Sequence, residues 1–471
     1  MTIELIALMA LILRLILANQ SFWLDEGASL VIARQHLGPL LTSLGADFHP
    51  PLYYLLLHLQ ILIGVRNEVL LRLPNILLGT ATVYLLYRLL LLLDTKFKQK
   101  TALLGALILA ANPLHIYYSQ ELRMYSLSAF LTIATWLVLL SKHKRKYVWF
   151  ALLTALNFYT YYGAFFNFCA QFIYVCWQAR KILKQKWFWF VIPLILFAPW
   201  LLILSQQLKG AEFLKSALPG WSNLSGVLSF KALALIPLKF VLGRVNLADN
   251  LAFKISGGLA TVYLLSLMYF GRKAKASRVF LAWLLIPLVL AVISSLWSPL
   301  LGYWRYLYLA PAAAGLIALA ISRLKPPYRQ LNFTLVILIF ALANVVFWLT
   351  PAYQRENWRG LVDFDQHYNQ LTTLYVFPFS DAFAPFRWYL PTAQYVAPLK
   401  NLRSDPETLD LLLSQASEGK STILYFEYLA AITDPQKNIS HWLENAGYRL
   451  SQTHNLSGVG LIYEYHPQLL Y

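Results

Sequence analysis

Long apolar runs dominate the chain. Eleven of them lie at 3–19, 73–93, 101–117, 124–140, 147–161, 163–177, 187–205, 251–270, 279–297, 303–322 and 332–350. A helix needs roughly 20 mainly apolar residues, with a working range of about 17–25, to cross a bilayer core. The pattern therefore predicts a polytopic α-helical membrane protein with about eleven transmembrane helices. Two further apolar stretches do not fit as crossings. Residues 51–64 are short and open on His49-Pro50-Pro51, and a crossing there would part Asp25/Glu26 from Glu121/Arg123. They read as an interfacial or re-entrant helix. Residues 226–241, with Lys231 and Lys239 and apolar residues between, read as a second interfacial helix. The first run lacks a basic n-region and an A-x-A-like site, so it reads as a retained span.

After Pro351 the pattern changes to short alternating stretches. Strands are expected at 373–378, 394–397, 422–427 and 461–465, and helices at 406–416 and 436–446. Ser404 and Asp405 are cap candidates for the first of those helices. The expected organisation is a membrane domain over 1–351, with its first external loop at about 20–72, followed by a small α/β domain over 352–471.

Composition sharpens this picture. Hydrophobic residues make up 59% of the chain and charged residues 13%, against about 25% charged in an average soluble domain. A single water-soluble globule and a disordered chain are both excluded. The net charge of +18 comes from 39 Lys and Arg against 21 Asp and Glu. Eighteen of the bases sit in five short loops: Lys96, Lys98 and Lys100; Lys142, Lys144, Arg145 and Lys146; Arg180, Lys181, Lys184 and Lys186; Arg272, Lys273, Lys275 and Arg278; and Arg323, Lys325 and Arg329. These loops hold a single acid, Asp94. The positive-inside rule makes them cytoplasmic. The expected topology is a multi-pass protein of the cell (inner or plasma) membrane, with a cytoplasmic N-terminus and an extracytoplasmic C-terminal domain. The charge excess is a topology marker and gives no support to a nucleic-acid partner. Cys169 and Cys176 read as small core residues. GxxxxGKS, HExxH and paired CxxC motifs are absent from the sequence.

Residues 1–351 contain nine acids, and five of them (Asp25, Glu26, Asp47, Glu68, Glu121) fall on the expected outer side near span ends. Ionisable groups near a bilayer are costly, so each needs a partner or a task. The first outer loop also carries His49, Tyr53 and Arg72, and the second reads Gln120-Glu121-Leu122-Arg123-Met124-Tyr125. A carboxylate there can act as general base toward a hydroxyl. An arginine can hold a phosphate through two hydrogen bonds and stabilise it as a leaving group. Asp25 and Glu26 are adjacent and point in different directions, so one can be the base and the other an orienting group. Taken singly, each has a plainer reading. Asp25-Glu26 could be a loop pair or N-cap, Arg123 a partner of Glu121, Arg72 a snorkelling side chain and His49 a packing neighbour of Pro50. Together on one face they point to a site.

An ordered set of motifs carries a family resemblance: W-L-D-E-G-A at 23–28, H-P-P-L-Y-Y-L-L-L at 49–57, R-L-P-N at 72–75, N-P-L-H-I-Y-Y-S-Q-E-L-R-M-Y-S-L at 112–127, R-Y-L-Y-L-A-P at 305–311 and E-N-W-R-G at 356–360. The chain resembles the membrane glycosyltransferases of the GT-C class, in the branch shared by protein O-mannosyltransferases and aminoarabinose transferases (glycosyltransferase family 39-like). The resemblance implies a polyprenyl-phosphate-linked sugar donor and transfer at the extracytoplasmic face. By the same carry-over, Asp25 corresponds to the acid that contacts and deprotonates the acceptor, with Glu26 its companion. Arg123 and Arg305 would face the donor phosphate, with Arg72 a further candidate. His49, Tyr53, Gln120, Glu121 and Tyr125 would line the pocket. The chain departs from the O-mannosyltransferases in lacking any sign of a large β-trefoil insertion, which puts a protein acceptor in doubt; a glycan or lipid acceptor remains open beside it.

Attack opposite the leaving phosphate would invert the anomeric centre, for which one carboxylate base suffices. The sequence calls for no cofactor, and no ligand spacing supports a divalent ion near Asp25 and Glu26. Two other classes compete. A transporter or flippase for a lipid-linked sugar would be expected to show two related halves, and no repeat is visible. A membrane scaffold with an external α/β binding domain leaves Asp25, Glu26, Arg123 and Arg305 unexplained.

Overall fold

The computed structural model describes residues 2–178, 185–217, 226–246, 251–378, 384–399 and 405–468. Arg180, Lys181, Lys184 and the cap candidate Ser404 lie outside the described residues. The chain forms two compact units. The first comprises Met1–Ala18, Asp47–Gln206 and Leu224–Gln354; the second comprises Asn19–Ala46, Gln207–Asn223 and Arg355–Tyr471.

The first unit is helical. Its early elements are α1 (Ile3–Leu15), α4 (Leu52–Leu62), α5 (Glu68–Leu93), α6 (Lys98–Ala111), α7 (Pro113–Ser119), α8 (Tyr125–Leu140), α9 (Lys146–Phe158) and α10 (Ala164–Gln178). Two helices between α1 and α4, α2 (Leu24–Ala33) and α3 (Leu37–Ser43), belong to the second unit. Each of the eleven expected runs contains helix. Among the described residues, six helices are long and apolar enough to cross a membrane: Glu68–Leu93, Phe188–Phe213, Leu251–Gly271, Ser277–Ser294, Tyr303–Ser322 and Pro326–Leu349. The bent pair α6 and α7 raises this to as many as seven. The difference from eleven has a local cause. Helices α1, α8 and α9 stop at 13–16 residues, short of the length a crossing needs. Helix α4 has 11 residues, about 16 Å of helix, too short to cross alone, as its sequence implied.

Polar side chains inside this unit serve its backbone. At the 62° bend between α6 and α7, Asn112 caps α7 by accepting from the His115 N–H (2.9 Å). Its amide donates to the Phe240 carbonyl (2.8 Å), and Asn344 donates to the Ala111 carbonyl (3.0 Å). Arg14, fully buried, donates to the Ala10 and Ala110 carbonyls and to Ser119 Oγ, and meets His115 Nδ1 at 2.7 Å. It thereby ties α1 to α6 and α7. Asn157 bridges Ser128 and Thr132 of α8 (2.9 and 3.0 Å), and Gln171 donates to Thr135. Such hydrogen bonds hold helices together where lipid supplies no hydrophobic drive. Two contacts join basic loops: Asp94 pairs with Arg323 (3.1 Å), and Arg278 donates to Gln178 (3.1 Å). The first and fifth basic loops therefore share a face.

The second unit is α/β. Its five strands are β1 (Thr373–Val376), β2 (Tyr395–Val396), β3 (Thr422–Phe426), β4 (Tyr448–Leu456) and β5 (Gly460–Pro467), in the order β2-β1-β3-β5-β4. Strands β2, β1 and β3 run parallel, while β5 is antiparallel to β3 and to β4. One sheet face packs on Trp358, Leu361, Phe386 and Tyr428, and the other on Leu409, Leu413, Ile439 and Leu443. The expected helices appear as Pro406–Ser417 and Asn438–Asn445. Strand β4 escapes sequence reading because it is an edge strand, mostly exposed, with the polar run Arg-Leu-Ser-Gln-Thr-His-Asn and no apolar alternation to mark it.

Asn19–Ala46 was assigned by its sequence to the membrane domain; the structure groups it instead with the α/β unit. Packing explains this. Phe22 meets Trp388 edge-on at 5.8 Å, and its N–H donates to Tyr389 Oη (2.9 Å). Helix α2 packs on the helix Ala384–Tyr389, so closely at Gly27 that a Cβ there would lie 2.5 Å from the Pro385 nitrogen.

A similar close approach tests the first unit. A Cβ on Gly79 of α5 would lie 2.1 Å from Ser119 Oγ of α7. Gly79→Ala is expected to cost about 1–3 kcal/mol through overpacking, read as a lowered melting midpoint of the detergent-purified protein. Pairing it with Ser119→Gly should recover part of the loss.

Candidate functional site

In the first unit the site residues gather at the end of the helices opposite the basic loops. Helices α5 and α8 both run from this end toward a basic loop, α5 to Asp94 and α8 to Ser141-Lys142. Asn75, 2% exposed, organises it. Its amide donates to Tyr53 Oη (2.8 Å), the Arg123 carbonyl (2.9 Å) and the Glu121 carbonyl, while its own carbonyl accepts from Ser126 Oγ (2.9 Å). The irregular turn between α7 and α8, which carries Glu121 and Arg123, is thus held from α5. Gln120 closes the other side, donating to the Arg14 and Ile16 carbonyls (2.9 and 2.5 Å). Tyr125, the first residue of α8, stacks edge-on with Tyr118 and Tyr161 at 5.4 and 6.1 Å.

Arg305 lies on the 3-10 helix Tyr303–Leu309 and is anchored by donating to the Pro299 carbonyl (2.7 Å). Arg123 and Arg305 both act on His49, which precedes α4. Burial depresses the His49 imidazole well below its ordinary value, and the two arginine charges depress it further. His49 therefore lies within the electrostatic field of both Arg123 and Arg305, and Tyr161 and Tyr306 lie within that of Arg305. Arg72 is fully buried and donates to the Ala18 carbonyl (2.8 Å) at the end of α1.

One cation at this face was not singled out by its sequence. Arg244 donates to Tyr303 Oη (2.9 Å) and lies 5.2 Å from the Tyr117 ring centroid. It is therefore tied to the same 3-10 helix as Arg305. Lys239 holds the preceding loop through the Val245 carbonyl (2.8 Å) and Asn246 (2.9 Å). The available signal was their position: basic residues outside the five basic loops.

The adjacent carboxylates Asp25 and Glu26 belong to the second unit. Asp25 and Glu26 lie in the first turn of α2, where acids complement the helix dipole. Glu26 is fully buried; it accepts from the Trp23 N–H (3.4 Å) and lies 3.6 Å from Arg355 Nε. Asp25 is half-buried, and its carbonyl accepts from Ser29 Oγ (3.0 Å). The adjacent pair thus divides as its spacing implied, with Glu26 turned inward. Glu356, quoted in the E-N-W-R-G motif without a role, sits at the N-terminus of α2 and accepts from the Leu24 N–H (3.2 Å). Among the described residues no group of three or more His, Cys, Asp or Glu could hold a metal ion.

Residues 48–203 match the family model for dolichyl-phosphate-mannose-protein mannosyltransferase. That stretch includes His49, Tyr53, Arg72, Gln120, Glu121, Arg123 and Tyr125. No curated protein sequence matches the chain. Among solved structures, apo ArnT from Cupriavidus metallidurans is similar with a TM-score of 0.60, over 98% of this chain and 97% of that one, at 13% identity. ArnT from the same organism bound to undecaprenyl phosphate gives 0.59, with the same coverage and 14% identity. The archaeal oligosaccharyltransferase AglB from Archaeoglobus fulgidus, in complex with an inhibitory peptide and a dolichol-phosphate, gives 0.54 over 98% and 74% of the two chains at 12% identity. The chain has a GT-C-like fold.

Burial and the two arginine charges hold the His49 imidazole well below its ordinary value, which favours its neutral form. His49 should then contribute no limb near its ordinary titration, roughly pH 6.5. His49→Gln is expected to leave the shape of the pH–rate profile unchanged while altering its height. A limb near pH 6.5 that disappears in His49→Gln would refute this.

Proposed function

We propose that the chain is a glycosyltransferase that moves a sugar from a polyprenyl-phosphate donor to a hydroxyl on a glycan, lipid or protein acceptor, at the membrane face opposite its basic loops and with inversion. The observation that carries this reading is that Arg123 and Arg305 both act on His49. Two arginines can hold a phosphate and disperse the charge it gains as it leaves. The binding of undecaprenyl phosphate by ArnT and of dolichol-phosphate by AglB is consistent with such a donor. A phosphate-linked sugar also brings its own leaving group, so the chemistry needs no nucleotide site.

The acceptor oxygen attacks the anomeric carbon, and the bond from that carbon to the phosphate oxygen breaks. The phosphate departs with the electron pair, and the hydroxyl proton passes to the Asp25 carboxylate. Glu26, paired with Arg355, orients the turn that carries Asp25. Arg244 joins Arg123 and Arg305 as a donor-side cation, while Arg72 acts through the backbone that it holds. Eleven crossings, basic loops in the cytoplasm and the α/β unit outside the cell membrane are the topology that goes with this reading.

The experiment is a transfer assay on purified protein with a panel of undecaprenyl-phosphate sugars. Asp25→Asn is expected to lower transfer by roughly 10²–10⁴-fold, the usual scale for a general base, with a normal membrane level. Retained activity would remove the base assignment. Arg305→Ala should raise the donor KM about tenfold or more and leave the acceptor KM unchanged. Equal effects on both would argue against a phosphate role.

A further inference from the structure

The exposed faces of α5 and α9 are apolar at helical spacing. On α5, Leu77, Tyr84, Arg88 and Leu92 are exposed along one stripe; on α9, Trp149, Leu152 and Leu156 are exposed in the same way. Arg88 breaks the first stripe. It lies inside a helix long and apolar enough to cross a membrane, about 8 Å along the axis before its last residue, Leu93. The positive-inside rule accounts for bases in the loops between spans, and Arg88 is in none of them. A guanidinium on such a face needs a partner or a task. Among the described residues it donates to Tyr84 Oη (3.1 Å), and its Cζ lies 5.8 Å from the Tyr84 ring centroid. A phenol directs the guanidinium and leaves its charge uncompensated. The next acid along the chain, Asp94, is engaged by Arg323 (3.1 Å) and Thr101 (2.6 Å).

Beside Arg88 the helix wall opens. Helix α8 packs on both α5 and α9. Its residues 131–136 are buried, whereas Leu137 and Val138 are half-buried where they line a cavity of about 580 Å³. That volume is in the range of small-molecule sites, about 300–1,000 Å³. Leu92 of α5 and Leu153 of α9 continue its apolar wall, with the ring of Trp149, a side chain suited to a membrane interface. Arg88, Lys142 and His143 supply its polar part, and none of these lining residues is an acid. The loop after α8 is built to present them. Lys146 donates to the Leu139 and Ser141 carbonyls (3.2 and 3.0 Å), answering the negative end of the α8 dipole. The Arg145 N–H donates to His143 Nδ1 (3.2 Å), which leaves the ring proton on Nε2 as a donor. Lys142 is exposed and has no partner among the described residues.

We propose that this cavity holds the headgroup of an anionic phospholipid from the leaflet at the basic loops. The phosphate meets Arg88 and Lys142, with His143 Nε2 as a further donor, and an acyl chain runs along Leu92, Leu137 and Leu153. An arginine fork suits a phosphate through two hydrogen bonds, and a lysine adds a point charge. Basic pockets between spanning helices bind such headgroups. A zwitterionic headgroup would bring its own cation to Arg88 and Lys142. The lipid gives Arg88 the counter-charge that the chain does not supply. This site is at the end of the helices opposite Arg123 and does not depend on the transfer reaction.

The test uses the full-length protein in detergent, titrated with phosphatidylglycerol or with phosphatidylcholine of the same acyl chains, and bound lipid is counted by native mass spectrometry. One phosphatidylglycerol should bind about tenfold or more tightly than phosphatidylcholine, since each cation at a membrane surface contributes roughly fivefold. Lys142→Gln should weaken its binding about fivefold, and Arg88→Gln with Lys142→Gln on the order of 25-fold, with an unchanged melting midpoint in phosphatidylcholine nanodiscs. Lys144→Gln with Arg145→Gln removes the same charge from outside the lining, and should weaken binding by less than about threefold. Equal losses in the two double variants overturn the proposal, because they mark general attraction to a basic loop. Equal affinity for the two lipids overturns it as well. Displacement by inorganic phosphate marks a free-anion site, and preferential displacement by undecaprenyl phosphate marks a polyprenyl site; either result overturns the phospholipid assignment. Should the Arg88 variant fail to fold, Lys142→Gln alone decides: unchanged affinity overturns the proposal.

Discussion

Backbone that leaves the helix inside a nonpolar slab must find its hydrogen-bond partners within the protein. The first unit is organised around that constraint. Its chain breaks helix at the α6–α7 bend, at the turn carrying Glu121 and Arg123, and after α1. Asn344 and Asn112 serve the first break, Asn75 the second, and Gln120 and Arg72 the third. Each is an amide or guanidinium that donates to a main-chain carbonyl. A reactive turn can be irregular here because another helix supplies its missing donors. Asn75 shows the economy of the device: one side chain holds the turn bearing Arg123 and also fixes Tyr53 of α4.

The second unit solves the opposite problem, acids that must be accommodated. Three of them surround the start of α2, and the structure treats each differently. Glu26 is buried against Arg355, Glu356 is half-buried and accepts from three donors, and Asp25 is half-buried. Burial raises the cost of a charge unless hydrogen bonds or an opposite charge answer it. Glu26 and Glu356 have those answers in the core. Asp25 shares the first turn of α2 with Glu26 and stays half-buried.

Much of this was legible in the chain. Apolar runs located the helices, and the five basic loops marked a common face that the Asp94–Arg323 pair now joins. The motifs contain His49, Arg123 and Arg305, and sequence alone does not show that the two arginine charges act on His49. Hydropathy could not report where a run stops being helix, because Asn112-Pro113 and Gln120–Met124 interrupt by local geometry within sequences that stay largely apolar on average. Nor could it assign Asn19–Ala46, whose place depends on aromatic contacts with Trp388 and Tyr389 more than 360 residues away in sequence. Glu356 was quoted as a motif letter but could not be given a task, since its partners Leu24 and Tyr428 are distant in the chain.

The basic residues at the end opposite the basic loops can be sorted by the same physics. The positive-inside rule explains bases in the short loops and gives no reason for bases at the other end. Arg72 spends a donor on a backbone carbonyl where α1 ends, so removing its charge without its hydrogen bond is not an available substitution. Lys239 does the same for the loop at Val245. Arg123, Arg305 and Arg244 differ. Arg305 and Arg244 are tethered to one short 3-10 helix and its neighbours through a carbonyl and a phenol, and Arg123 shares the field of His49 with Arg305. Phenol and neutral imidazole orient a guanidinium without neutralising it. Guanidinium groups held in this way keep their charge at this end of the helix bundle.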